Sequence, residues 1–315
     1  MADLILSPLG LGILGLLIGS FLNVVVHRLP AMYMREWWRF DLAEFALADA
    51  RSWRAAFGAR DEPPRELAAA SEAIKRHLDG LAPLTLWRPR SRCPECGHAI
   101  RALENIPVVS WLVLRGRCSA CGTRIAWRYP LLEAATGILF AACAWRFGAS
   151  AQAVVSCAAV ALLLPMALID LEYTLLPDSL TIPIVVLGLV AAAAGWTPVR
   201  WGDAATGALV GYGVLWAFGA FWQLALHKAN AMAEGDMKML AGIGALTGWQ
   251  PIAGALFLAA ILGAVVGVGL IALGRHKREV PIPFGPYLAL GGLAAVLFPQ
   301  AIGGFGESLT PLVGL

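Results

Sequence analysis

Long apolar runs separated by short polar stretches make up most of this chain, and their lengths predict an all-α protein that crosses a membrane about eight times. The first run, residues 4–26, is long enough for a bilayer of roughly 30 Å and is closed by His27 and Arg28. Runs resume at residues 130–147, 151–169, 180–194 and 204–226. The next, 237–273, is too long for one span, and Gly248-Trp249-Gln250-Pro251 supplies a turn that divides it into a short sixth and a seventh. Residues 282–298 form the eighth. Only residues 28–128 lack this pattern, which predicts three parts: a first membrane helix (1–27), a polar insertion (28–128) and a seven-helix membrane domain (129–315).

Within the insertion, 34–54 places Trp37, Trp38, Phe40, Phe45 and Trp53 among charges, as an amphipathic helix lying on a membrane or a partner does. Asp61-Glu62-Pro63-Pro64 breaks it, and a second helical stretch follows over 65–78. The 59% apolar and 14% charged composition, with a mean hydropathy of +0.70, excludes an ordinary soluble domain. Charge then orients the chain. Of 24 Lys and Arg, 17 lie between Arg28 and Arg128, so the insertion is expected on the cytoplasmic side with the N-terminus outside. The basic loop Arg275-His276-Lys277-Arg278 falls on the same side only if the turn at Gly248 is real. No basic residue precedes the first run, the reverse of a secretory signal, so that helix is expected to be retained. The arginines are interleaved with acids and accompany no recognition motif, so no nucleic-acid partner is expected.

Two motifs carry candidate chemistry. Cys93-Pro-Glu-Cys96 and Cys118-Ser-Ala-Cys121 are two Cys-x-x-Cys pairs separated by 21 residues, and such turns complete the four-sulfur tetrahedron that Zn²⁺ favours. Disulfides do not suit a reducing cytoplasm. Cys143 and Cys157 lie in apolar runs, as core residues do.

The second motif is acidic. Asp170 ends the run 151–169, and Asp236, in Ala233-Glu234-Gly235-Asp236-Met237-Lys238, stands at the mouth of the next long one. The two spans between them form a hairpin, which returns both carboxylates to the same membrane face. A charged group there is costly and marks a functional site. Two carboxylates close together cannot easily both ionise, so their titrations split, and one can draw a proton from water while the other polarises a carbonyl. The same residues read equally well as helix caps. Lys238 is expected to offset the charge of Asp236, Gly235 to let a backbone approach beside it, Asp178 to cap the fourth span, and Glu133 to need a polar partner inside the second.

The order of motifs resembles the bacterial type IV prepilin peptidases, the prepilin leader peptidase/N-methyltransferases. The resemblance rests on Gly19-Ser20-Phe21-Leu22-Asn23 with Arg28-Leu29-Pro30, the cysteine pairs with Glu104-Asn105-Ile106-Pro107 between them, and Arg128-Tyr129-Pro130-Leu131-Leu132-Glu133. It continues through Ile169-Asp170 with Leu176-Pro177-Asp178, Gly235-Asp236-Met237-Lys238 and Pro283-Phe284-Gly285-Pro286. It covers nearly the whole chain. It implies a GxGD-type intramembrane aspartyl protease of the bacterial inner membrane, with Asp170 and Asp236 as the catalytic pair. The implied substrates are prepilins and pseudopilins, cut after a Gly between a basic leader and an apolar helix. It also implies N-methylation of the new N-terminus from S-adenosylmethionine. Ala233 stands where the family's first motif glycine would be. A membrane transporter using the two aspartates as proton or cation sites is the alternative from another class.

Overall fold

The computed structural model describes residues 2–46, 65–226, 232–274 and 282–304, and these are helical or irregular apart from isolated bridge residues, Arg117 with Arg124 among them. Ten helices position the site. They are α1 (Pro8–Ala46), α2 (Arg65–Asp79), α3 (Val109–Val113), α4 (Arg128–Phe147), α5 (Ala151–Tyr173), α6 (Asp178–Ala193), α7 (Trp201–Leu226), α8 (Glu234–Thr247), α9 (Gln250–Ala272) and α10 (Gly285–Leu297). Each expected apolar run is helical over most of its length, though the first is interrupted at Leu6-Ser7 and the helix of the last begins at Gly285. Four of these helices are long and apolar enough to cross a membrane, with spans over Pro8–Phe40, Ala151–Tyr173, Trp201–Ala225 and Gln250–Ala272, and two shorter apolar helices, α6 and α10, accompany them. The break at Gly248 is present: its φ of 83° is a backbone conformation open to glycine, and it ends α8 two residues before α9 begins.

The chain falls into two compact units, residues 27–92 in one and residues 1–26 with 93–315 in the other. The first unit corrects one expectation. The aromatic stretch from Met34 is not a separate helix but a continuation of the first membrane helix, with Pro30 inside it. Proline removes one backbone bond and ordinarily breaks a helix. Here Arg28, Arg35 and Arg39, on one face at helical spacing, donate to the carbonyls of Thr85, Ala82 and Leu78, at 3.0, 3.2 and 3.3 Å, and tie the helix to the end of α2 and the segment that follows it. The rest of the expected helix (47–54), the Asp61-Glu62-Pro63-Pro64 breaker, Lys228 and the basic loop at Arg275–Arg278 lie outside the described residues.

In the second unit α8 is the centre. It packs against α6, α7, α9 and α10, while α5 packs against α4, α6 and α10. Every α8 residue from Met239 to Leu246 is buried. Close approach is bought with small residues: Gly207 of α7 faces Gly244 of α8, where a side chain on either would meet the other's backbone. Leu209, Leu224, Val265 and Val268 point outward from α7 and α9, as lipid-facing side chains do.

Candidate active site

Asp170 occupies the last turn of α5, which Thr174 ends by adopting a left-handed conformation and donating its N–H to the Asp170 carbonyl at 2.8 Å. Asp236 is in the first turn of α8. Both carboxylates are buried, at 7% and 6% exposure, and lie close enough for their charges to interact. Neither caps its own helix. Asp170 Oδ2 instead accepts the N–H of Gly285, at the start of α10, at 2.9 Å. A methyl group on Gly285 would sit 2.6 Å from that oxygen, so only glycine admits this contact. Asp236 Oδ1 is the one fully buried side-chain oxygen or nitrogen without a hydrogen-bond partner among the described residues.

The surrounding residues correct two expectations. Lys238 does not pair with Asp236: its Nζ donates to Asp178 Oδ1 and Oδ2 at 2.8 and 3.1 Å and to Glu234 Oε1 at 2.9 Å. It thereby joins the start of α6 to the helix carrying Asp236, and Asp178 serves as its ion-pair partner as well as the first residue of α6. Gly235 does admit a close neighbour. That neighbour is Leu176, whose Cβ would lie 2.5 Å from an added methyl. Ala233, exposed at the N-cap of α8, has φ −75° and ψ 139°, extended backbone that alanine adopts without strain. The site thus offers one carboxylate held by an N–H and a second with a free oxygen, which is the asymmetry acid–base chemistry at a bound carbonyl requires.

The four motif cysteines converge as well. Their Sγ atoms lie within 4.8 Å of one another, with Cys93 to Cys121 at 3.8 Å and Cys96 to Cys118 at 4.0 Å. Zinc–sulfur bonds of about 2.3 Å set tetrahedral edges of about 3.8 Å, so the donor set fits Zn²⁺; these separations are far from a disulfide at about 2.05 Å. Both knuckles are built alike. Cys93 and Cys118 donate to the carbonyls of His98 and Thr123, at 2.9 and 2.8 Å, and accept the N–H of Gly97 and Gly122, whose φ values of 71° and 73° require glycine. The Thr123 side chain and N–H draw the Cys121 thiol down to about 6, towards the thiolate that a metal binds. Glu104 braces the two knuckles: its carboxylate accepts from Ser119 Oγ at 2.6 Å and the Arg101 N–H at 2.9 Å and meets His98 Nε2 at 3.1 Å. These contacts hold its carboxyl down at about 2. His98 is therefore a partner of the brace rather than a fifth donor.

Comparison with known proteins places the chain in a family. Residues 13–147 match the Bacterial Peptidase A24 N-terminal domain, and residues 157–268 match the Type IV leader peptidase family. The chain belongs to the type IV leader peptidase family. Curated relatives named prepilin leader peptidase/N-methyltransferase include those of Stutzerimonas stutzeri (42% identical, spanning 92% of this chain and 90% of the relative), Pseudomonas putida (41%, 92% and 90%) and Aeromonas hydrophila (42%, 91% and 89%). No solved structure matches. As a member of a leader-peptidase family the chain is an enzyme, and the transporter alternative is not favoured.

Within this family member the cysteine cluster and Glu133 fall in the first match, and Asp170 and Asp236 in the second. Glu133, which sequence reasoning left in want of a partner, is buried and accepts the Val108 N–H at 2.7 Å, with the polar side chains of Ser20 and Asn23 beside it. Asn23 donates further to the Tyr129 carbonyl at 3.1 Å, and Gly19 packs against the backbone of Glu133 itself. Arg128 and Glu172 form an ion pair joining the start of α4 to the end of α5. Sequence reasoning gave Gly285 no role of its own; it appeared only within Pro283-Phe284-Gly285-Pro286, near the start of the eighth run.

Proposed function

We propose that this leader peptidase cleaves the basic leader from prepilins and pseudopilins with Asp170 and Asp236 as its catalytic pair, and N-methylates the new terminus from S-adenosylmethionine. The observation that carries the peptidase reading is the buried, unpartnered Asp236 Oδ1 beside an Asp170 whose own oxygen is held by Gly285. Asp170, already an acceptor of the Gly285 N–H, takes the proton of the attacking water. Asp236, with its free oxygen, donates a proton to the scissile carbonyl as the tetrahedral intermediate forms, and the pair then returns a proton to the leaving amine. The name the relatives carry supports both activities and the prepilin substrate.

The same reading has eight spans in the bacterial inner membrane, with the N-terminus periplasmic, and a cytoplasmic insertion over 28–128. Cys93, Cys96, Cys118 and Cys121 hold a structural Zn²⁺, which fixes the two knuckles to each other. The aspartates lie at the cytoplasmic membrane face, where the scissile bond of a single-helix substrate with a cytoplasmic leader would stand.

The test uses the purified full chain in detergent with a prepilin carrying a basic leader, Gly-Phe and an apolar helix, with product masses read with and without S-adenosylmethionine. Loss of the leader by the parent, and by neither Asp170→Asn nor Asp236→Asn, is expected, together with one added methyl mass. Cleavage that survives in either folded variant would sink the dyad.

A further inference from the structure

The segment between the two cysteine knuckles carries an exposed apolar surface that the peptidase reading does not use. On α3, Leu112 and Val113 are 62% and 75% exposed, and Val109 is exposed beside them. Trp111, on the other face, is turned inward: its Nε1 donates to the Ile125 carbonyl at 3.2 Å. An apolar ridge this exposed on a metal-knuckle segment needs a cover.

Its position identifies that cover. The residue before α3, Val108, has φ 61°, a conformation that a β-branched residue rarely adopts, and its N–H is held by Glu133 inside α4. The side chains of Ser20 and Asn23 of α1 lie against Glu133 in turn, and they stand six and three residues before Val26, the end of the apolar run. At 1.5 Å per residue the anchor point of α3 is about 5–10 Å inside that run, which is the depth of the headgroup–acyl boundary. Arg115, Arg117 and Arg124, in the chain that follows α3, are exposed.

We infer that α3 is an interfacial membrane anchor: Val109, Leu112 and Val113 enter the bilayer beside α4, and the neighbouring arginines contact anionic phospholipid headgroups. The Glu133 bond sets the depth, and the apolar side chains hold the cysteine knuckles against the membrane face. The anchor depends on the chain being membrane-embedded and not on which residues cut a substrate.

The full chain is reconstituted in nanodiscs of phosphatidylethanolamine and phosphatidylglycerol, with the photocrosslinker p-benzoylphenylalanine in place of Val113 or, as a comparator on the first knuckle, Glu95. After irradiation, intact mass should show phospholipid adducts at Val113 at least about ten-fold above those at Glu95. Crosslinks from Val113 to a second copy of the chain, equal lipid yields at both positions, or no adduct would overturn the anchor. In phosphatidylcholine nanodiscs the yield should fall, and an unchanged yield would overturn the anionic-lipid contact. The readout requires no prepilin and no turnover, so it stands or falls apart from the peptidase chemistry.

Discussion

Two buried carboxylate sites share this helical unit and differ in one respect. Glu133 is surrounded by donors: the Val108 N–H, Ser20 and Asn23 all reach it. Asp236, no less buried, keeps an oxygen that nothing in the described chain satisfies. A saturated buried acid joins elements and has no capacity left for a substrate, whereas an unsaturated one costs stability and is retained where chemistry uses it. Burial alone therefore does not distinguish a strut from a candidate catalyst; on the proposed chemistry, the partner inventory does.

That contrast breaks most decisively at the aspartates. Asp236→Asn and Asp170→Asn should each reduce prepilin cleavage by roughly 10⁴-fold or more while the protein still folds, measured as initial rates on folded, monodisperse preparations. Next comes Gly285→Ala, whose methyl would displace the Asp170 carboxylate; a loss of roughly 10²-fold in kcat/KM is expected from a shift on the order of 1 Å. A wild-type rate would show that the Gly285 contact does not position Asp170.

Glu104 is a third carboxylate with a full set of partners, and Glu104→Gln should weaken zinc retention by about 10–100-fold in a chelator competition. Because its carboxyl is held at about 2 in the folded chain, against an ordinary 4.5, the stabilisation from its charged form is complete above the ordinary value and disappears as pH falls through about 2. The penalty of the substitution should therefore be the same at about pH 6 and about pH 8, and a penalty that changes between them would contradict the brace. Glu133→Leu strands the Val108 N–H and should cost about 1–3 kcal/mol of stability in thermal melts, with cleavage per folded molecule altered by less than about three-fold. If cleavage collapsed instead, Glu133 would have to be counted with the aspartates. The smallest effect is expected from Ala233→Gly, less than about two-fold in rate, because the backbone there is ordinary and the side chain exposed.

Much of the architecture was legible because lipid imposes a simple grammar on sequence. Apolar runs gave the helices, Gly248 gave the break, and the spacing of Cys93, Cys96, Cys118 and Cys121 gave the four-sulfur cluster. The failures have a common origin in contacts between residues far apart in the chain. His27 and Arg28 look like the end of the first helix until the arginines that clamp it on either side of Pro30 are seen against 78–86. Lys238 sits two residues from Asp236 in sequence but faces Asp178, 60 residues away. Gly285 reaches Asp170 across 115 residues, and neither position advertises the other. Local periodicity carries no information about such pairings; only the packing of α5, α8 and α10 does.

The Gly285 contact also orders events in time. A ribosome that has completed α9 has already made both aspartates, but not the backbone donor that holds one of them. On the proposed chemistry, a half-made chain beside other nascent membrane proteins is a silent protease, and it acquires its activity only as α10 enters beside α5.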